Sequence, residues 1–146
     1  MDAMVTEVFE LYRLAAVARS RNPSGPDDLS ETEFLTLDTL SKEQPLTIGE
    51  VQKQVGVVPA QMSRIVRALE EQGGKGYLAC RINVQDRRRI DLSLTETGRE
   101  AYNKYRNARL SSMYESLNAI PPEDRFQFMR IVRQIHSAFK KRLNTA

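Results

Sequence analysis

Tryptophan is absent from the 146 residues, and cysteine and histidine occur once each, as Cys80 and His136. A single cysteine cannot build an intrachain disulfide framework, and such sparing use fits a reducing compartment. One histidine offers no pair to hold a metal, and one thiol excludes a cysteine-rich zinc site. No metal and no cofactor are therefore expected. No apolar run approaches the roughly 18 residues needed to cross a membrane. Asp2, Glu7 and Glu10, set among periodic apolar residues, make the first twenty positions unlike a signal or transit peptide. Cytoplasmic residence is the expectation. There is no glycine-rich phosphate loop ahead of a helix, and no set of nucleophile, base and orienting group, so an enzyme is not expected.

What the chain does have is positive charge in one place. Between Pro59 and Arg89 lie seven basic residues (Arg64, Arg67, Lys75, Arg81, Arg87, Arg88, Arg89) and three acidic ones (Glu70, Glu71, Asp86). Seven minus three is +4 against +3 for the whole chain, so the remainder sums to −1. Cationic charge confined to one segment is the footprint of a phosphate-binding element, although a solvated charged face would look similar.

The local pattern of that segment is more specific. Thr47 and Glu50 have the spacing of a capping box, followed by Ile48, Val51 and Val55 on one helical face. Gly56 suits the left-handed residue that ends a helix, and Pro59 suits the first turn of the next. Met62, Ile65, Val66 and Leu69 then form a buried stripe. At about 100° per residue, Ala60, Arg64 and Arg67 lie opposite it, with Gln61 and Ser63 on the flanks. Arginine can donate to guanine in a fork, glutamine can pair with adenine, and a methyl can touch thymine, so this face suits a major groove.

Two runs with period-two alternation follow. Leu78, Cys80 and Ile82 share one face of the first, and Ile90, Leu92 and Leu94 share one face of the second. Asn83-Val84-Gln85-Asp86 supplies turn residues between them. Arg88 should project from the far end of this hairpin, where a long cation can enter a narrow minor groove. Asp86 either orients an arginine fork or serves only as a turn former. Arg87, Arg89 and Lys75 are placed for phosphates. By alternation Cys80 points inward, as a small hydrophobe rather than a redox sensor.

Asp86-x-Arg88, Leu92-x-Leu94-Thr95-x-x-Gly98 and Arg64-Ile65-Val66-x-x-Leu69-Glu70 together resemble the MarR family of bacterial transcriptional regulators. The resemblance covers residues 30 to 100 by motif and the whole chain by length and helix layout. It implies a homodimer that binds double-stranded DNA at a palindromic operator and usually represses. It also implies that a small, commonly aromatic effector can release the DNA by binding between the domains. By the same matching, Arg88 would be the minor-groove arginine and Asp86 its positioning partner. Three departures stand out: Val58 where a Ser or Thr cap is common, an apparent insertion at Gly74-Lys75-Gly76, and Cys80 in the first wing strand.

The flanks read as helices. Residues 2 to 20 carry an apolar arc of roughly 160°, including Val5, Val8, Phe9 and Tyr12, wider than a single core face requires. Positions 21 to 29 form a loop, and Ser30-x-x-Glu33 is a second capping box opening a helix with Phe34, Leu37 and Leu40 inward. Thr95 can cap a helix running to about Ala119, Pro121-Pro122 breaks it, and a last helix carries Phe128, Ile131, Val132, Ile135, Phe139 and Leu143 on one stripe. The economical explanation is self-association through Val5, Val8, Phe9, Tyr12, Phe128, Val132, Ile135 and Phe139. Mutual burial within one chain is the alternative. Tyr12, Phe34, Tyr102 and Tyr105 have the spacing of packed core, and equally that of a cavity lining.

The expected architecture is mainly α with a small β-wing, in one domain spanning 1–146. A winged helix-turn-helix over 30–94 is flanked by dimerisation helices over 1–20 and 95–146. The expected function is a sequence-specific DNA-binding regulator. A winged helix that binds another protein is the competing class, but residues 60 to 67 carry arginines where such a surface would carry apolar anchors.

Overall fold

Capping chemistry sets the helix boundaries. In a computed structural model, residues 1–21, 29–71 and 76–145 are described. The expected loop before Leu29 and Gly74-Lys75 of the apparent insertion lie outside them. The elements in order are α1 (Asp2–Arg21), α2 (Glu31–Lys42), β1 (Leu46–Thr47), α3 (Ile48–Val55), α4 (Pro59–Glu71), β2 (Leu78–Ile82), β3 (Ile90–Leu94), α5 (Glu96–Asn118) and α6 (Pro122–Thr145). By compactness the chain divides into Met1–Arg109 and Leu110–Ala146.

Both expected capping boxes form. The Ser30 hydroxyl accepts from the Glu33 amide while the Glu33 carboxylate accepts from the Ser30 amide, and Thr47 and Glu50 repeat the exchange. Each satisfies two donors that would otherwise lack partners at a helix start. Gly56 ends α3 at φ 77°, a conformation that a Cβ disfavours. Pro59 opens α4.

The core of the first unit joins these helices to the sheet. Leu37 and Leu40 of α2, Val51 of α3, Met62 and Leu69 of α4 and Leu92 of β3 are fully buried. The strand order is β1-β3-β2, antiparallel throughout, with Leu46 opposite Leu92 and Cys80 opposite Leu92 from the other side. The two-residue strand β1 was not anticipated, because two residues are too few for alternation to show. Its anchor is Gln44, whose side-chain oxygen accepts from the Leu94 amide at 2.8 Å.

The inward faces of the wing strands are shorter than expected. Leu78 and Leu92 are buried, but Ile82 is 67% exposed and Ile90 41% exposed. The two isoleucines pair across the strands. Their parity is as expected; the hairpin simply extends past the helices that cover its base.

Tyr102 and Tyr105 both pack on Phe34, with ring centroids 5.7 Å and 5.2 Å from it. Arg109 lies over the Phe34 ring at 4.7 Å and pairs with Glu31. The Tyr102 hydroxyl donates to Asp38 at 2.7 Å and the Tyr105 hydroxyl to the Leu29 carbonyl at 2.9 Å. These rings fasten α5 to α2. Tyr12 is exposed and takes no part.

In the second unit, α6 has no buried residue. Phe128, Val132, Ile135 and Phe139 are all exposed, as is His136. On α1, Val5, Val8, Phe9 and Tyr12 are likewise exposed. No helix among the described residues is long and apolar enough to cross a membrane.

Thr95 caps α5 through its hydroxyl, which accepts from the Gly98 amide at 3.0 Å and donates to the Gly76 carbonyl at 2.7 Å. A Cβ on residue 98 would stand 2.1 Å from the Tyr77 carbonyl oxygen. Backbone cannot yield as a side chain can, so Gly98→Ala is expected to destabilise by roughly 1–3 kcal/mol or more in urea unfolding. A midpoint unchanged from wild type would contradict this packing.

Candidate nucleic-acid interface

The second helix of the pair, α4, is held by its apolar stripe. Met62, Ile65, Val66 and Leu69 are buried, which turns Ala60, Gln61, Ser63, Arg64 and Arg67 outward, and all five are exposed. Val58 provides no side-chain cap. Instead its carbonyl accepts from both the Gln61 amide (3.0 Å) and the Met62 amide (3.1 Å), so a tight first turn replaces the missing hydroxyl. Ser63 donates its hydroxyl proton to the Pro59 carbonyl at 3.1 Å, which leaves its oxygen lone pairs outward as acceptors.

The wing tip, residues 83–89, is a built loop rather than a simple four-residue turn. The Asn83 side-chain oxygen accepts from the amides of Gln85 (2.9 Å) and Asp86 (2.8 Å). Its Nδ2 donates to both oxygens of Asp91, at 2.9 and 3.0 Å. The Asn83 amide donates to the Arg89 carbonyl, and the Arg89 amide to the Asp86 carbonyl, both at 2.9 Å. Asx-type bonds of this kind fix a loop without a core beneath it.

Asp86 holds Arg88 differently from the expectation. Its Oδ1 accepts from the Arg88 backbone amide at 3.0 Å, not from the guanidinium. The carboxylate–guanidinium contact falls on Arg89, whose Nε lies 3.5 Å from Asp86 Oδ2. Asp86 thus caps the turn backbone, while Arg88 lines a cleft with Thr47, Glu50 and Lys53. Arg87, Arg88 and Arg89 are all exposed, and among the described residues no carboxylate pairs with the guanidinium of Arg87 or Arg88. Lys75 lies outside the described residues.

Sequence reasoning missed Asn83 and Asp91 as a bonded pair. Asp91 faces Arg81 in the register and lies diagonal to Asn83, a placement that the local turn pattern does not reveal. Sequence reasoning also missed the cleft of about 490 Å³ formed by Thr47, Ile48, Gly49, Glu50, Lys53, Arg88, Arg89 and Ile90. The Glu50 carboxyl there is held below its ordinary range. The Thr47 amide and hydroxyl contribute most, and the Arg89 and Lys53 charges add to them.

A helix pair joined at a left-handed glycine, an outward polar helix face and a cationic hairpin together make a winged helix-turn-helix module. The MarR family model matches residues 29–90. An HTH-type transcriptional regulator of Mycobacterium tuberculosis is 31% identical over 115 residues, which are 79% of this chain and 77% of the relative. The HTH-type transcriptional repressor MdtR of Bacillus subtilis is 26% identical over 110 residues, 75% of this chain and 69% of that one. Among solved structures, Streptococcus pneumoniae FabT in complex with DNA superposes with a TM-score of 0.80 at 19% identity, covering 96% of this chain and 97% of FabT. The chain belongs to the MarR family, and it is a DNA-binding transcriptional regulator rather than an enzyme.

Cys80 is half-buried, and its thiol is pushed up to about 12, first by burial and then by a hydrogen bond to Glu70 and the charge of that carboxylate. Since the thiolate is the nucleophile, almost none is present at neutral pH. Native protein should label slowly with iodoacetamide, and Cys80→Ala should leave DNA affinity under peroxide unchanged. Rapid native labelling with peroxide-dependent loss of binding would make Cys80 a sensor instead.

Proposed function

We infer that the chain acts as a homodimeric repressor on a palindromic operator. Ala60, Gln61, Ser63, Arg64 and Arg67 would lie in the major groove and Arg88 in the adjacent minor groove, with Arg87, Arg89 and Lys75 serving phosphates. The observation that carries the DNA assignment is the Arg88 guanidinium, which pairs with no carboxylate among the described residues, on a bonded wing that follows an outward helix face with two arginines. Repression is supported by the likeness to MdtR, a repressor by name. Cytoplasmic residence follows from the same reading, since the target is the chromosome. A small aromatic effector is also part of it and rests on the family resemblance; the Phe34 ring already stacks on Tyr102 and packs at a tilt against Tyr105.

Grip and readout separate by mutation. With duplex DNA from beside the chain's own gene, Arg88→Ala should weaken binding strongly. Arg64→Ala should in addition relax base preference, since a discriminating base contact contributes about 1–3 kcal/mol. An unchanged ranking of operator variants in Arg64→Ala would remove that residue from base reading.

The dimer is supported by two exposed apolar faces. One is Val5, Val8, Phe9 and Tyr12 of α1; the other is Phe128, Val132, Ile135 and Phe139 of α6. Contiguous apolar surface of this kind marks an association site. Two recognition helices about one helical turn apart, ~34 Å, would then read two half-sites. Ile135→Glu puts a carboxylate into such an interface and should yield monomers by sedimentation. Loss of linkage between half-sites should lower operator affinity by roughly 10²–10⁴. A folded monomeric variant binding as tightly as wild type would refute the dimer mechanism.

A further inference from the structure

Among the described residues, three of the glycines are imposed by the backbone around them. Gly56 and Gly76 take positive φ, and Gly98 meets the Tyr77 carbonyl. Gly49 is different. It lies in the first turn of α3 without a positive φ, and a Cβ placed there would meet nothing within 4 Å. Glycine within a helix is less favourable than alanine, because its backbone loses more freedom on folding. The fold therefore gives no reason for glycine at this exposed position.

Gly49 opens on to a cleft. The pairing of Thr47 with Asp91 sets the first turn of α3 beside the point where the wing tip enters β3. Gly49, Glu50 and Lys53 line the cleft on one side, and Arg88, Arg89 and Ile90 on the other. Lys53 stands four residues after Gly49 on the same helix face, and a helical side chain leans back over the preceding turn. Three cations against one carboxylate leave this lining at net +2. Both Thr47 donors end on Glu50 Oε2, so that carboxylate is committed to the helix cap. Lys53 and Arg88 pair with no carboxylate among the described residues, and Arg89 has one long contact, 3.5 Å, to Asp86. Glycine is the residue that lets a ligand come against the main chain, and here it lies beneath unpaired cations.

We propose that this cleft seats one phosphodiester of the duplex, with Lys53 and Arg89 as its cationic ligands and Gly49 as the bare floor against which the sugar–phosphate backbone lies. The seat rests on the DNA-binding reading and deepens it: α3 itself joins the contact surface, and Lys53 and Gly49 join the binding residues. The strand held there borders the minor groove that Arg88 would enter, so seat and groove contact fix the same stretch of duplex.

The test sets stability against affinity. Gly49→Ala should keep a urea midpoint equal to or above that of wild type, yet bind duplex from beside the chain's own gene several-fold more weakly. Gly49→Leu should bind more weakly still. A lowered midpoint in Gly49→Ala makes the glycine a requirement of the fold, and an unchanged affinity leaves the floor unused; either overturns the proposal. Across a salt series, the double variant Lys53→Gln with Arg89→Gln should reduce the slope of log affinity by about 0.9, the loss of one phosphate contact. The ranking of operator variants should not change. An unchanged slope, or a drop of about 1.8 that marks two separate phosphates, overturns the shared seat. At matched ionic strength, inorganic phosphate should displace the duplex no more than chloride does. Stronger displacement makes the cleft a free-anion site and overturns the duplex assignment. A wild type that bound no duplex would overturn the DNA reading and the seat together, whereas wild-type binding that Gly49→Ala left intact overturns the seat alone.

Discussion

The carbonyl oxygen of Tyr77 is the point on which the DNA-binding half is assembled. It accepts from the Thr95 amide at 3.1 Å, while the Tyr77 amide donates to the Leu69 carbonyl at 2.7 Å. One buried residue thus joins the end of α4, the base of the hairpin and the start of α5. The approach is so close that only glycine fits at 98, and Gly76 at φ 68° would set a Cβ 2.4 Å from the Glu70 carbonyl. Both glycines are consequences of backbone meeting backbone. The spacing between recognition helix and wing, which any duplex must match, is set at this junction.

Around it the structure divides by solvent. The body of the module is covered by α2, α3 and α4, and there the side chains obey burial: Leu37, Leu40, Met62, Leu69 and Leu92 are fully enclosed. Among the described residues no layer covers the hairpin beyond Cys80 and Leu92, where Ile82 and Ile90 are exposed, and hydrogen bonds take over from packing. Asn83 alone engages the amides of Gln85 and Asp86 and the carboxylate of Asp91. This change of stabilising interaction along a single hairpin explains why exposed Ile82 and Ile90 coexist with a defined tip.

It also explains which features were legible in the sequence. Capping at Ser30, Thr47 and Thr95, the left-handed Gly56, Pro59 at a first turn and the stripe from Met62 to Leu69 follow rules that act within four residues, so they could be read directly. Alternation gave the parity of both wing strands. What escaped depends on where distant segments meet. β1 exists because Leu46 meets Leu92, and the depth to which the strands are covered depends on the helices above them. Asp86 met Arg88 at the backbone amide rather than the guanidinium, since a carboxylate beside a turn bonds readily to nearby backbone amides. On the recognition helix, the outward face was legible because it is the complement of an inward one; which bases it meets is a property of the complex.

The bonded wing tip has a consequence for the energetics of encounter. A flexible basic loop loses conformational freedom when it enters a groove, and that loss, about 1–2 kcal/mol per ordered backbone residue, is subtracted from whatever its cations gain. Residues 83 to 91 are already tied by Asn83, Asp86 and Asp91 in the free chain. The ordering is completed during folding, so in the proposed docking Arg88 would reach the duplex with only its own side chain left to immobilise.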